Sequence, residues 1–168
     1  MTLPQRKPTR LKGFDYSTNG KYFVTICTHE KKKILSHIVG DVHERPALKM
    51  TKYGEIVDAV IRNIPERFGV EIDRYIVMPN HIHMIVSVDK SDERTIRELS
   101  LQHSIISNIV GYLKMNVSKQ IHLYEPELIV WQRSFHDHII RSERGYLKIW
   151  TYIDSNHQKW EDDVFYIE

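Results

Sequence analysis

The chain has 168 residues, with 24 lysines and arginines against 22 acidic residues, 41% apolar residues and a single cysteine. That length and balance fit one domain, residues 1–168, with a core of its own, and they exclude collagen-like, low-complexity and disordered chains. No apolar run approaches the roughly 18 residues of a membrane span, residues 1–12 lack the apolar middle of a secretory signal, and Cys27 alone cannot form an internal disulfide. A cytoplasmic protein with no membrane partner is therefore expected.

Residues 1–19 read as a basic N-terminal arm that ends in the turn-rich Asp15-Tyr16-Ser17-Thr18-Asn19-Gly20. Residues 1–33 hold eight basic side chains (Arg6, Lys7, Arg10, Lys12, Lys21, Lys31, Lys32 and Lys33) against Asp15 and Glu30, the charge a phosphate backbone attracts, although a solvated surface has the same composition. Residues 21–28, rich in β-branched and aromatic side chains, predict a strand. Residues 34–39 and 47–50 predict a hairpin or two short strands around Gly40-Asp41 and Pro46. Ile56, Val57, Val60, Ile61 and Ile64 follow helical spacing behind a Thr51 cap, with Pro65 and Gly69 bracketing the exit.

Residues 70–78 and 82–88 predict an antiparallel pair joined at Pro79-Asn80, which places His81 near a strand end and close to solvent. A long helix is expected from Thr95 to about Lys119, a loop or short strand over 124–130 and a strand over 135–140. Ser142 caps a final helix with Tyr146, Ile149, Trp150 and Ile153 on its apolar face. The order of strands and helices suggests an α+β fold: a ferredoxin-like, split βαβ antiparallel sheet with helices packed on one face and a C-terminal helix that bears a tyrosine.

The sharpest local feature is Met78-Pro79-Asn80-His81-Ile82-His83. Side chains alternate along a strand, so His81 and His83 project from one face and can share a metal ion; two hydrogen-bonded structural histidines would show the same spacing. Other His-x-His enzymes lack their next ligand here, since Ile85 stands where a histidine-triad hydrolase has its third histidine and the first following acid is Asp89. A second pair, His136 and His138, repeats the pattern and reads as mainly structural, with His138 and Arg141 as contributors around a phosphate. On the last helix Tyr152 and Asn156 are i and i+4 and share a face, which would put a hydroxyl beside an amide oxygen.

In order along the chain, three segments carry a family resemblance. They are Arg10-Leu11-Lys12-Gly13-Phe14-Asp15-Tyr16 with Tyr22-Phe23-Val24-Thr25-Ile26-Cys27-Thr28, then Tyr75-Ile76-Val77-Met78-Pro79-Asn80-His81-Ile82-His83, then Trp131-Gln132-Arg133-Ser134-Phe135-His136-Asp137-His138 running into Tyr152-Ile153 and Asn156. The chain resembles the HUH-type tyrosine transposases of small insertion sequences, and especially the REP-associated tyrosine transposases. The resemblance implies a metal-dependent single-stranded DNA endonuclease and strand transferase that works through a 5′-phosphotyrosine. It places the metal ligands for Mg²⁺ or Mn²⁺ on His81, His83 and Asn156, and the nucleophile on Tyr152. It implies single-stranded, hairpin-forming DNA as the partner, held by Arg6, Lys7, Arg10, Lys12 and Arg141, and allows a homodimer. Where the family often continues Asn-Pro after the tyrosine, this chain has Asn156-His157. The alternative readings are a non-catalytic single-stranded nucleic-acid-binding domain and a metal-dependent hydrolase of small phosphate esters.

Overall fold

Strand alternation decides which side chains reach which layer. The computed structural model describes residues 19–40, 46–89, 91 and 104–167, so Arg6, Lys7, Arg10 and Lys12 of the expected basic arm lie outside the described residues. In β1 (Gly20–Cys27) Tyr22, Val24 and Ile26 enter the main core, and Phe23 and Thr25 stand on the opposite face. β2 (Ser36–Val39) and β3 (Ala47–Met50) form the expected hairpin strands as a separate two-stranded sheet. β4 (Glu71–Val77), β5 (His81–Val88) and β6 (His136–Ile140) join β1 in a four-stranded sheet of order β4-β5-β1-β6, antiparallel throughout. This is the expected split βαβ arrangement.

Helix α1 (Lys52–Phe68) starts at Thr51, whose hydroxyl accepts from the amides of Tyr53 and Gly54, and ends at Gly69 in the left-handed conformation, φ 65°. It runs through Pro65 for another turn rather than stopping there. Its buried stripe of Val57, Val60, Ile61, Ile64 and Phe68 meets Ile105, Ile106, Ile109, Val110 and Leu113 of α2 (Ile105–Ile121). Each such fully buried side chain contributes about 1.5–3 kcal/mol. Gly54 is required where it is, because a Cβ there would lie 2.1 Å from the Leu35 carbonyl oxygen. Ser104 has extended backbone and accepts from the Ser107 amide, so α2 begins there rather than at Thr95; residues 95–103 of that expected helix lie outside the described residues. Residues 124–130 form a loop, and Trp131 bridges to Thr28.

Helix α3 (Glu143–Ser155), capped by Ser142, lies on the other face of the sheet from α1 and α2. The alternation in β1 shows this directly. Val24 belongs to the α1–α2 core, whereas the ring of its neighbour Phe23 meets Tyr152 of α3 edge-on at 6.3 Å. After α3 the backbone tightens into a 3₁₀ segment, Asn156–Asp162, broken at Lys159, and turns back over β5. No helix among the described residues is long and apolar enough to cross a membrane.

Candidate active site

Period two puts His81 and His83 on one face of β5, and their rings lie 4.4 Å apart between centroids. Both are buried, at 0% and 1% exposure, so His81 is not close to solvent as its strand-end position suggests. The reason is the segment after α3. Phe165 packs 4.7 Å and Trp160 6.0 Å from the His81 ring. That segment is pinned by bonds from Asn80 Nδ2 to the Phe165 carbonyl, 2.8 Å, and from Lys33 Nζ to the Ile167 carbonyl, 2.9 Å. Lys31 lies 5.5 Å over the Phe165 ring, carried on a turn in which Glu30 and Lys31 both hold left-handed backbone, φ 53° and 54°. That conformation costs a residue with a side chain roughly 1–2 kcal/mol.

The hydrogen bonds settle the state of His81. Its Nδ1 is 2.8 Å from Asn80 Oδ1. Because the Asn80 amide group already donates to Phe165, its oxygen accepts, and the proton sits on His81 Nδ1. Among the described residues Nε2 has no hydrogen-bond partner and is left as a bare, buried lone pair. Burial, helped by the charge of Lys31, lowers the His81 pKa to about 3, so the ring is neutral at physiological pH. Burial and the neighbouring His81 hold His83 well below the usual histidine range, with Asp163 acting in the opposite direction. His83 Nδ1 is 2.8 Å from Thr25 Oγ1, directly across on β1.

Tyr152 reaches this pair from α3. Its hydroxyl lies 3.2 Å from His83 Nε2 and donates to Asp163 Oδ2 at 3.0 Å. Partial burial, then the charge and hydrogen bond of Asp163, push its pKa well above the usual tyrosine value. Asn156, one turn on and buried at 3%, donates from Nδ2 to the same Asp163 oxygen at 2.7 Å, while its Oδ1 has no partner. The other Asp163 oxygen accepts from the Phe165 amide at 2.7 Å. Donor atoms of His81, His83 and Asp163 all lie within 4.8 Å of one another. A cavity of about 300 Å³ is lined by Tyr152, Asn156, Asp163, Lys148 and Lys159 and by neither histidine.

Of the residues expected from sequence, the fold thus gathers His81, His83, Tyr152 and Asn156 within one chain. It separates others from them. The Tyr146 ring lies under Lys21, 4.6 Å away, at the far end of α3. Arg141 follows Ile140, which pairs with Lys21, whereas His81 pairs with Cys27; the six positions between those rows correspond to about 20 Å of strand. His136 and His138 lie across β1 on the same sheet face, exposed, with His138 edge-on to Phe23 at 5.2 Å. His157 lines a different cavity, with Lys33, His37 and Trp160. Asp163, Thr25 and Asn80 were not singled out as site residues by the sequence. Asn80 carried a signal, its place directly before His81; Asp163 was visible only as one member of an acidic run.

Comparison with known proteins identifies the family and the fold. Residues 17–156 match the family described as IS200-like transposases. An uncharacterized protein of Haemophilus influenzae is 32% identical, over 99% of this chain and 96% of its own length. Among solved structures, a REP-associated tyrosine transposase bound to a REP hairpin has a similar fold, with a TM-score of 0.60 at 20% identity over 95% of this chain and 74% of that one.

Proposed function

This chain belongs to the IS200-like transposase family, and from that premise we propose that it cleaves and rejoins single-stranded DNA with Tyr152 as nucleophile and a divalent ion on His81, His83 and Asn156. One observation carries the reading: the Tyr152 hydroxyl lies 3.2 Å from His83 Nε2, beside a buried His81 Nε2 that has no partner. A buried, unpartnered lone pair on a neutral ring costs free energy unless something occupies it. The unpartnered Asn156 Oδ1 and the Asp163 carboxylate next to it are oxygen donors of the kind a divalent ion takes with imidazole. These residues therefore fit Mg²⁺ or Mn²⁺.

When bound, the ion would polarise the scissile phosphate and stabilise the charge that develops on it. The chain's own groups do the rest. Asn80 holds His81 with its proton on Nδ1, and Thr25 can accept from His83 Nδ1 so that Nε2 is free to coordinate. The hydroxyl of Tyr152 is protonated at neutral pH, and its hydrogen bond to Asp163 provides a route for the proton as the oxygen attacks phosphorus. The Tyr152 oxygen–phosphorus bond forms, the phosphorus–O3′ bond breaks, and the departing 3′ oxygen takes up a proton. The phosphotyrosine keeps the energy of the phosphodiester, so a second 3′-hydroxyl can reverse the step without ATP. The hairpin bound by the structural relative supports a hairpin-bearing strand as substrate here. The basic arm with Arg6, Lys7, Arg10 and Lys12, together with Arg141, would hold the DNA backbone.

A labelled hairpin-bearing oligonucleotide incubated with Mn²⁺ and run on a denaturing gel tests this. Wild-type protein should give a covalent adduct, Tyr152→Phe none, and Tyr146→Phe a normal one. An adduct from Tyr152→Phe would sink the assignment, and no adduct from wild type would favour a non-catalytic nucleic-acid-binding domain.

A further inference from the structure

Resting on that reading, we infer that Asp163, contributed by the segment beyond the tyrosine helix, is an anionic ligand of the same ion and completes its coordination with His81 and His83. Two observations support this independently. The first is position: its carboxylate lies within 4.8 Å of the donor nitrogens of both histidines. Donors around one ion at about 2.1 Å each lie about 3.0 Å apart when cis and about 4.2 Å apart when trans, so the three side chains would draw together by up to about 2 Å to close the set. The second is the bare, fully buried Nε2 of His81 in the same cluster, which calls for an electrophile rather than another acceptor.

The hydrogen bonds around Asp163 hold it for this role. Asn156 Nδ2 and the Phe165 amide each fix one of its oxygens, so little rotamer freedom is lost on binding an ion. The Tyr152 hydroxyl donates to Oδ2, so the same carboxylate touches the proposed nucleophile. Charge points the same way. Two neutral imidazoles and a neutral amide would leave a dication uncompensated in a buried site, and a carboxylate supplies the negative charge that such a site otherwise lacks. With two nitrogen donors and one anionic oxygen, the set suits Mn²⁺ better than Mg²⁺.

Calorimetric titration of the full-length apo protein with Mn²⁺, without DNA, reads this directly. Asp163→Asn, which keeps the shape and an oxygen for the Phe165 amide, should weaken Mn²⁺ binding by tenfold or more while the melting temperature moves little. Asp163→Glu, which restores the charge, should recover part of the loss. Wild-type affinity in Asp163→Asn, together with loss in His81→Ala, would overturn the inference and leave the proposed metal site standing. Unchanged affinity in His81→Ala as well would overturn the proposed site itself. Anomalous scattering from a Mn²⁺-soaked wild-type crystal gives the answer without any variant. An ion bonded to both histidines and an Asp163 oxygen supports the inference, and one bonded to the histidines with Asp163 remote refutes it.

Discussion

Two strands of this sheet carry the same His-x-His pattern, and the fold treats them in opposite ways. His83 and His136 are both cross-strand neighbours of Thr25, and both pairs project from the same face. β5 is interior, with β4 on one side and β1 on the other; among the described residues β6 is an edge strand paired with β1 alone. The segment after α3 covers β5, so His81 and His83 are desolvated and neutral, His81 hydrogen-bonded at Nδ1 alone and His83 at both ring nitrogens, whereas His136 and His138 are exposed. Spacing along a strand therefore chooses the face, and the neighbours of the strand choose the chemistry.

The largest expected effect breaks that comparison outright. His81→Ala or His83→Ala should lower cleavage of the hairpin oligonucleotide by about 10²–10³-fold or more, with single-stranded DNA binding retained, because in the proposed mechanism these rings hold the ion that stabilises the reacting phosphate. His136→Ala and His138→Ala should stay within about tenfold of wild type. Equal losses from both pairs would erase the distinction between the strands.

A smaller effect sharpens it. Asn80→Ala removes the acceptor that keeps the proton on His81 Nδ1. Loss of such an orienting partner typically costs 10–100-fold in metal affinity, so Mn²⁺ titration of this variant should fall in that range. Affinity equal to wild type would show that the tautomer of His81 is set by something else.

The smallest concerns pH. The folded-state pKa of His81 is about 3, below its ordinary value of 6.5, so its neutral form favours folding. That contribution is fully present above pH 6.5 and is lost as pH falls from 6.5 toward 3, at about 1.4 kcal/mol per pH unit for one histidine. Denaturant melts of the metal-free protein between pH 7 and 4 should show this slope, and His81→Asn should reduce it by that amount. An unchanged slope in the variant would mean that His81 is protonated in the folded state.

The strands and helices were legible wherever local periodicity governed them. Alternation placed His81 and His83 together, and helical spacing placed Tyr152 and Asn156 on one side of α3. Where long-range packing governed, local signals failed. His81 looked solvent-exposed because nothing near it in sequence covers it; Phe165, which does, is 84 positions away.

By itself the sequence determined the parity of each strand, the capped helices and the grouping of His81 with His83 and of Tyr152 with Asn156, since these depend on backbone geometry repeated over a few residues. Only the tertiary structure decided that Asp163 meets the histidines, that Asn80 leaves His81 Nε2 bare, and that one of two identical motifs is buried. Desolvation and hydrogen bonding depend on which distant atoms fill the last few ångströms around a group. No periodicity along the chain encodes that.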